Sequence, residues 1–284
     1  MFLFKAMYMV RTTSYRHGLF LSILIFILTL SAPPTHAKDT ITWRVTDWPP
    51  MYILQGNEQG RGLYDELISI FIQNMPEYNH RKLSMNTQRA LSLMQKGSKV
   101  CHTSVIKSDA EGKAHISQLN SLLLEHKVIF NTQNRSHLDN ESSISLESLI
   151  QDSRFKGGIA SFGTHEFLKK FQNSNFKHIV HLPEMYDNLL NMVLGNRVDY
   201  IVQYSPVVAY AEKQSGKEGS TTSLFIKETI NKPYVKVYTA CDKSDWGLNV
   251  IEKINRILLA ERQKASLEKI QLRWYDNQSQ QLLR

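Results

Sequence analysis

The sequence predicts an α/β protein with two lobes and mostly parallel sheets. Short β-branched or apolar segments alternate with amphipathic helical segments along residues 41–275. A polar stretch at residues 131–143 interrupts this alternation once. The composition, with 42% hydrophobic and 21% charged residues in 284, is that of a globular protein with a sizeable core, and no repeat of fixed period indicates a solenoid.

The first 37 residues have the features of a secretory signal. Lys5, Arg11 and Arg16 precede an apolar run at residues 19–30, and Thr35 and Ala37 supply small residues for a cleavage site. The run is about a dozen residues long, which is shorter than the roughly 20 that cross a bilayer as a helix. We therefore predict cleavage after Ala37 and a periplasmic mature chain of 247 residues; a retained membrane anchor is the alternative.

The charge of the mature chain is basic but dispersed. Removing the three basic residues and no acid of the signal lowers the net charge from +8 to +5. Lys and Arg do not form any run of five, so the sequence does not favour a nucleic-acid partner. A basic balance suits either an ordinary solvated surface or an anionic ligand.

The first lobe begins with an alternating strand at residues 41–46, which two prolines end at Pro49 and Pro50. Apolar residues at helical spacing then predict a helix over 63–75. The remaining elements expected in this part are strands at 81–85, 99–106 and 121–130 and a helix at 88–95 that ends at Gly97.

A second series of elements follows the polar stretch, so a lobe boundary is expected near residue 130. The strands expected here and beyond lie at 156–161, 177–182, 198–203 and 234–240. The helices expected lie at 146–150, 164–171, 185–194, 207–213, 246–262 and 265–275, and residues 216–222 are expected as a loop.

Cys101 and Cys241 are the two cysteines of the chain. An even number in an exported protein favours a disulfide over metal binding or thiol chemistry. Two unrelated buried thiols are the alternative.

Sequence motifs of common enzymes are missing. The chain has no phosphate-binding glycine loop, no Gly-x-Ser-x-Gly and no His-Glu-x-x-His. His178 and His181 would lie on opposite faces of a strand, and Asp65 and Glu66 are helix neighbours rather than facing carboxylates. We therefore expect no metal, no cofactor and no catalytic residues.

Several segments, in the same order along the chain, resemble bacterial extracellular solute-binding protein family 3, the polar amino-acid type. A strand with an aromatic, proline-containing loop comes first and a glycine-to-acidic helix entry follows. The similar segments are residues 43–52, 60–67, 89–97, 159–164, 194–199 and the C-terminal 272–275. Together they span nearly all of residues 41–275.

The resemblance implies a type II periplasmic binding protein, with two lobes joined by a hinge of two chain crossings. Lobe I would comprise residues 39–130 and 231–284, and lobe II residues 131–230. Both cysteines would then lie in lobe I. The implied protein is a monomer that holds a small molecule between its lobes for an ABC transporter permease or a membrane sensor.

The family resemblance implies ligand-contacting residues at the matching positions of this chain. Trp48 and Tyr52 would wall the ligand, Thr103 and Ser104 would offer hydroxyl groups, and Thr164 would face it from a helix N-terminus. Four more residues complete the expected set, namely Asp47, Lys107, Phe162 and Tyr204. Core packing or turn chemistry is the alternative at each position.

Both charged groups that hold an amino acid in this family are missing here. The family places an arginine shortly after the third strand, but residues 107–113 offer only Lys107 and Lys113. Where the family has an aspartate for the α-amino group, this chain has Tyr204. Since a buried unpaired charge costs several kcal/mol, the expected ligand is a small polar, anionic or aromatic molecule rather than a standard amino acid.

Three functions remain open. A non-enzymatic binding protein agrees best with the resemblance. A dehydratase-like enzyme for small cyclic acids on the same scaffold would need a positioned acid or base, and the nearest candidates, Asp47 and Glu184, have no partner evident in the sequence. The third function is a partner-binding protein with a degenerate pocket.

Overall fold

A computed structural model of the chain describes residues 37–124, 126–137, 141–160, 176–182, 187–231, 234–275 and 280–281. The expected signal peptide therefore lies outside the described residues, apart from Ala37. The expected helix at 164–171 and the start of the one at 185–194 also lie outside them.

The N-terminal part folds as alternating strands and helices. Its alternation of apolar residues places Ile41, Trp43 and Val45 in the core, where Trp43 stacks on Phe71 with ring centroids 5.7 Å apart. The elements are β1 (Thr40–Val45), α1 (Leu63–Asn74), β2 (Asn79–Ser84), α2 (Thr87–Gln95), β3 (Val100–Ile106), the single turn α3 (Lys107–Ala110) and β4 (His115–Leu124).

The middle of the chain forms a second group of elements. They are β5 (Lys127–Asn131), a 3₁₀ segment (Thr132–His137), β6 (Ser143–Ile144), α4 (Leu146–Gln151), β7 (Gly157–Ala160), β8 (Ile179–Leu182), α5 (Asp187–Leu194), β9 (Tyr200–Gln203), α6 (Ser205–Ser215), β10 (Thr221–Ile226) and a second 3₁₀ segment (Lys227–Thr229). Helix α6 ends at Gly216, whose φ of 65° is the left-handed conformation that glycine adopts at little cost.

The chain then returns to the first group with β11 (Tyr234–Cys241), α7 (Asp245–Gln263) and α8 (Ser266–Leu272). The start of α7 is held by Ser244, whose hydroxyl accepts from the Gly247 N–H. Gly247 is required there, because a Cβ at this position would clash with the Asp242 carbonyl oxygen.

These strands form two mixed sheets. The first has the order β2-β1-β3-β11-β4 and the second the order β6-β10-β5-β9-β7-β8. We call the part of the chain around the first sheet lobe I and the part around the second sheet lobe II. Five of the nine described pairings are parallel and four are antiparallel, so the sheets are mixed, with a small parallel majority. The antiparallel pairs arise where the chain passes from one sheet to the other and back.

The chain passes between the sheets twice, between the end of β4 at Leu124 and the start of β5 at Lys127, and between β10 and β11. The segment 121–130, expected as one strand, is two strands in different sheets, so the first crossing lies about five residues before the expected boundary near 130. Strand β10 occupies residues that were expected partly as loop, and it pairs antiparallel with β5.

The expected disulfide is confirmed. Cys101 and Cys241 are bonded and face each other in the register of β3 and β11, within lobe I. Their sequence separation of 140 means that all of lobe II lies within the closed loop.

Candidate functional site

The loop after β1 forms the lobe I side of the candidate site. Trp48 and Tyr52 exchange two backbone hydrogen bonds of 3.3 and 2.9 Å across a cis Pro49–Pro50 bond. The tight loop holds Trp48 half-buried and Tyr52 fully buried. The two rings are linked through Tyr64, whose centroid lies 6.4 Å from that of Trp48 and 5.2 Å from that of Tyr52.

Tyr52 joins the loop to the end of β3. Its hydroxyl lies 2.7 Å from Thr103 Oγ1 and 3.0 Å from Ser104 Oγ. Burial raises the pKa of Tyr52, and the nearby Arg44 charge and the two hydroxyl groups oppose this only in part. Thr103 is also fully buried, whereas Ser104 is half-buried. The Tyr52 phenol is therefore neutral and already bonded, so it supports Ser104 from within the core.

A buried arginine and histidine lie beside these hydroxyl groups. Arg44 of β1 and His102 of β3 are register partners, with Arg44 3% and His102 1% exposed. Arg44 Nη1 lies 3.0 Å from His102 Nε2, and Ser104 Oγ lies 3.0 Å from the same ring nitrogen. Arg44 also donates to the Met85 carbonyl, at 2.9 Å, and to Thr87 Oγ1, at 3.3 Å, and its guanidinium carbon lies 5.9 Å from the centroid of the Tyr52 ring.

These contacts fix the protonation of His102. Burial, and then the charge of Arg44, hold the pKa of His102 well below its usual range, so the ring is neutral at pH 7. Arginine only donates hydrogen bonds, so Nε2 accepts and the ring hydrogen lies on Nδ1. A histidine with a lowered pKa and a cation on its acceptor nitrogen is a poor general base for Ser104.

Lobe II contributes the residues that follow β9. The backbone N–H of Tyr204 donates to Gln203 Oε1 over 2.8 Å, directly before α6 begins at Ser205. Tyr204 is buried, with its ring centroid 3.8 Å from that of His126 at the first crossing and 5.9 Å from that of Trp48. The contact between Trp48 and Tyr204 therefore joins the two lobes at the carboxyl ends of β1 and β9, the ends at which α/β proteins bind ligands.

The structure brings Trp48, Tyr52, Thr103, Ser104 and Tyr204 into this connected set. The other expected residues are placed differently. The side chain of Asp47 is exposed, Lys107 is exposed at the start of α3, and Phe162 and Thr164 lie outside the described residues.

Sequence reasoning missed Arg44, His102, His126 and Gln203. The family resemblance points to a cation after the third strand, whereas Arg44 lies in the first strand between the core residues Trp43 and Val45. A charged residue inside an otherwise apolar strand is the signal that could have found it, because such a residue is either a surface position or a buried charge with a function.

A cavity of about 230 Å³ lies next to this set, between Pro49 and helices α5 and α6. Its lining includes Leu190, Val207 and Tyr210. Its volume is below the roughly 300–1,000 Å³ typical of small-molecule pockets, so a ligand of ordinary size needs more room than this cavity offers.

Two negative observations hold for the described parts of the chain. His, Cys, Asp and Glu residues do not come together there in any group of three that could hold a metal ion. Of the helices described, none combines the length and the apolar character needed to cross a membrane.

Comparisons with known structures identify the fold. A histidine kinase sensor domain with similarity to periplasmic binding proteins superposes with a TM-score of 0.63 at 14% identity, over 85% of this chain and 97% of that one. The probable amino-acid ABC transporter extracellular-binding protein of Bacillus subtilis gives 0.60 at 18%, over 84% and 99%. An ancestral amino-acid-binding protein, described as a precursor of cyclohexadienyl dehydratase, gives 0.60 at 14%, over 89% and 99%.

The chain thus has the fold of the periplasmic binding proteins, as the sequence predicted, with two mixed sheets and flanking helices. Its neighbours of known structure include amino-acid-binding proteins of the solute-binding family 3 type, at low sequence identity. No protein-family model and no curated protein matches the sequence. At these identities the similarity establishes the fold and does not identify the ligand.

Proposed function

We propose that this chain is an exported, non-enzymatic binding protein that captures a small polar, anionic or aromatic molecule between lobes I and II. The observation that carries the proposal is the contact between Trp48 and Tyr204, which joins the carboxyl ends of β1 and β9 across the lobes. Ligand would enter between these rings when the lobes open about the two crossings, and closure would bury it.

The proposal includes export and a partner. A signal peptide would be cleaved after Ala37, and the monomeric mature protein would present its ligand in the periplasm to an ABC transporter permease or to a membrane sensor. The neighbours support both partners, because one is named as an extracellular transporter component and another as a sensor domain. Lobe II would comprise the residues between the crossings, which moves its expected start from 131 to 127.

A second candidate is a partner-binding protein with a degenerate pocket. One observation favours it: Tyr204 and Val207 of lobe II pack in the same hydrophobic core as residues of lobe I. If this packing is permanent, the site is filled by the chain itself and takes no ligand.

Thermal unfolding of the mature protein, residues 38–284, tests the proposal. A ligand that binds only the folded form raises the melting temperature by mass action. We expect a shift from at least one compound in a panel of amino acids, organic anions, aromatic acids and short peptides, and we expect Trp48→Ala or Tyr204→Ala to remove it. Trp246→Ala is the matched control, because Trp246 is also half-buried but packs on Tyr78 in lobe I.

The outcomes separate the candidates. A shift lost in Trp48→Ala and kept in Trp246→Ala, without product formation, supports the binding protein. Turnover of a bound compound would instead support an enzyme, to which the dehydratase precursor among the neighbours gives some precedent. A panel without any shift favours the partner-binding protein.

A further inference from the structure

Arg44 is a buried cation that lacks an acidic partner. Its side chain is 3% exposed, and no carboxylate among the described residues lies within ion-pair distance of it. Its three hydrogen-bonded partners, the Met85 carbonyl, His102 Nε2 and Thr87 Oγ1, are all neutral. Buried charges in proteins are normally paired, because removal from water without a counter-charge is costly.

His102 is polarised by the charge of Arg44. Because Nε2 of this neutral ring accepts from Arg44, the Nδ1–H is a hydrogen-bond donor on the opposite side of the ring. That atom is fully buried and has no partner among the described residues. A buried donor without an acceptor is rare in folded proteins, and a ligand that supplies the acceptor accounts for it.

Lobe II presents a second donor of the same kind. Gln203 is 1% exposed, and its Oε1 is occupied by the Tyr204 N–H, while its Nε2 group lacks a partner in the described part of the chain. Tyr204, the next residue, is the one that contacts Trp48 of lobe I. Each lobe thus contributes one buried donor: Gln203 directly before Tyr204, and His102, whose ring lies 3.0 Å from Ser104 Oγ.

A buried acid that influences this set is already engaged. Asp65, which is close enough to influence the Tyr52 phenol, accepts from the Ile53 N–H at 2.7 Å and lies 3.8 Å from Lys82 Nζ. In the buried part of this set, a ligand ammonium group would therefore meet the Arg44 cation and the unused donors, while the described acid there, Asp65, is already bonded. The carboxylate of a ligand would find the Arg44 cation and the unused His102 and Gln203 donors, which complement its charge and its acceptor oxygens.

We propose that the ligand is an organic acid without an ammonium group, whose carboxylate accepts from His102 Nδ1 and from the Gln203 amide. Arg44 is the positioning residue that supplies the counter-charge through His102. This inference rests on the proposed function, since it names the class of molecule that the site between the lobes takes.

The test compares matched probes on the mature protein. Each set holds an acid, its amide and its amino acid: 3-phenylpropionate, 3-phenylpropionamide and phenylalanine, then glutarate, glutaramide and glutamate. Sodium acetate against sodium chloride at equal ionic strength serves as the smallest probe. Thermal shift detects binding and calorimetry gives the affinity. We expect the carboxylates to raise the melting temperature and to bind at least tenfold more tightly than the amides or amino acids.

Arg44→Met and His102→Phe are expected to abolish this preference for the acid. Arg81→Met is the matched control, since Arg81 is an exposed arginine on the neighbouring strand β2. Arg44→Met removes an unpaired buried charge but also three hydrogen bonds. The ratio of acid to amide affinity, measured on the folded variant, is therefore the deciding readout rather than its melting temperature.

Three results would overturn the proposal: equal or tighter binding of the amino acids, no shift from any carboxylate including acetate, or a preference for acids that persists in Arg44→Met. The first of these, with binding lost in Trp48→Ala, leaves the proposed function intact. Conversely, a carboxylate response that depends on Arg44 but not on Trp48 keeps the ligand class and overturns the site between the rings.

Discussion

The hydroxyl group of Tyr52 is the link between the loop after β1 and the end of β3. Its two partners, Thr103 and Ser104, would lose a buried hydrogen bond in Tyr52→Phe. We expect this substitution to lower the free energy of unfolding by about 1–3 kcal/mol, the usual cost when buried polar groups lose a partner. Urea denaturation of both proteins measures the difference.

Tyr234→Phe is a suitable control for this substitution, because Tyr234 is 40% exposed and surface substitutions usually change stability by about 0.5 kcal/mol or less. Equal losses in the two variants would show that the Tyr52 hydroxyl does not hold the loop.

At the level of single residues, the sequence predicted which residues lie close together better than it predicted their roles. Trp48, Ser104 and Tyr204 belong to one connected set of contacts, and their expected role in ligand binding stays a prediction. The family resemblance directed attention to Lys107, which is exposed, and away from Arg44. A residue's sequence neighbours do not reveal whether a charge has a partner, since His102 and Thr87 approach Arg44 from other elements.

Among the elements, α4 owes its N-terminus to a distant carboxylate. Glu228, in the 3₁₀ segment after β10, accepts from the Ser145 hydroxyl at 2.7 Å and from the backbone N–H groups of Leu146 and Glu147, both at 3.1 Å. Burial raises the pKa of Glu228, but these hydrogen bonds together outweigh it, so the pKa lies below its ordinary value of 4.5.

We expect Glu228→Gln to lower the free energy of unfolding by about 1 kcal/mol at pH 7, as for other helix caps. A lowered folded pKa stabilises the protein above the unfolded pKa and ceases to do so as pH falls through the folded value. The difference between the proteins should therefore shrink below pH 4.5. Urea denaturation at several pH values measures this, with the exposed Glu141→Gln as control. A difference independent of pH would contradict the role of the charge.

The sequence located most elements within a few residues but not the sheet to which each belongs. Residues 121–130 hold two apolar runs separated by Glu125, His126 and Lys127. These three polar residues do not by themselves indicate that β4 and β5 belong to different sheets. Strand β10 was missed because Gly216 and Gly219 favour a loop and its own alternation is weak. Its pairing with β5 is a long-range contact that local propensity does not report.

For the whole molecule, the disulfide is the main covalent constraint on the relative positions of β3 and β11 and on the long loop between them. It closes a loop with a sequence separation of 140, and on the chain-entropy model such a loop is stabilised by about 3–5 kcal/mol. Replacing both cysteines, Cys101→Ala with Cys241→Ala, should lower the free energy of unfolding by that amount. Chemical denaturation measures it, and the wild type under reducing conditions is the control. A loss below about 1 kcal/mol would contradict the model.

The register of the first sheet also bears on how lobe II is attached. Leu124, the last residue of β4, and Tyr234, the first of β11, are Cα partners in an antiparallel pair. Adjacent antiparallel strands can be joined by a two-residue hairpin. For protein engineering, the segment between Leu124 and Tyr234 is therefore replaceable. A short turn, or another binding domain, could join these two residues without moving a strand of the lobe I sheet.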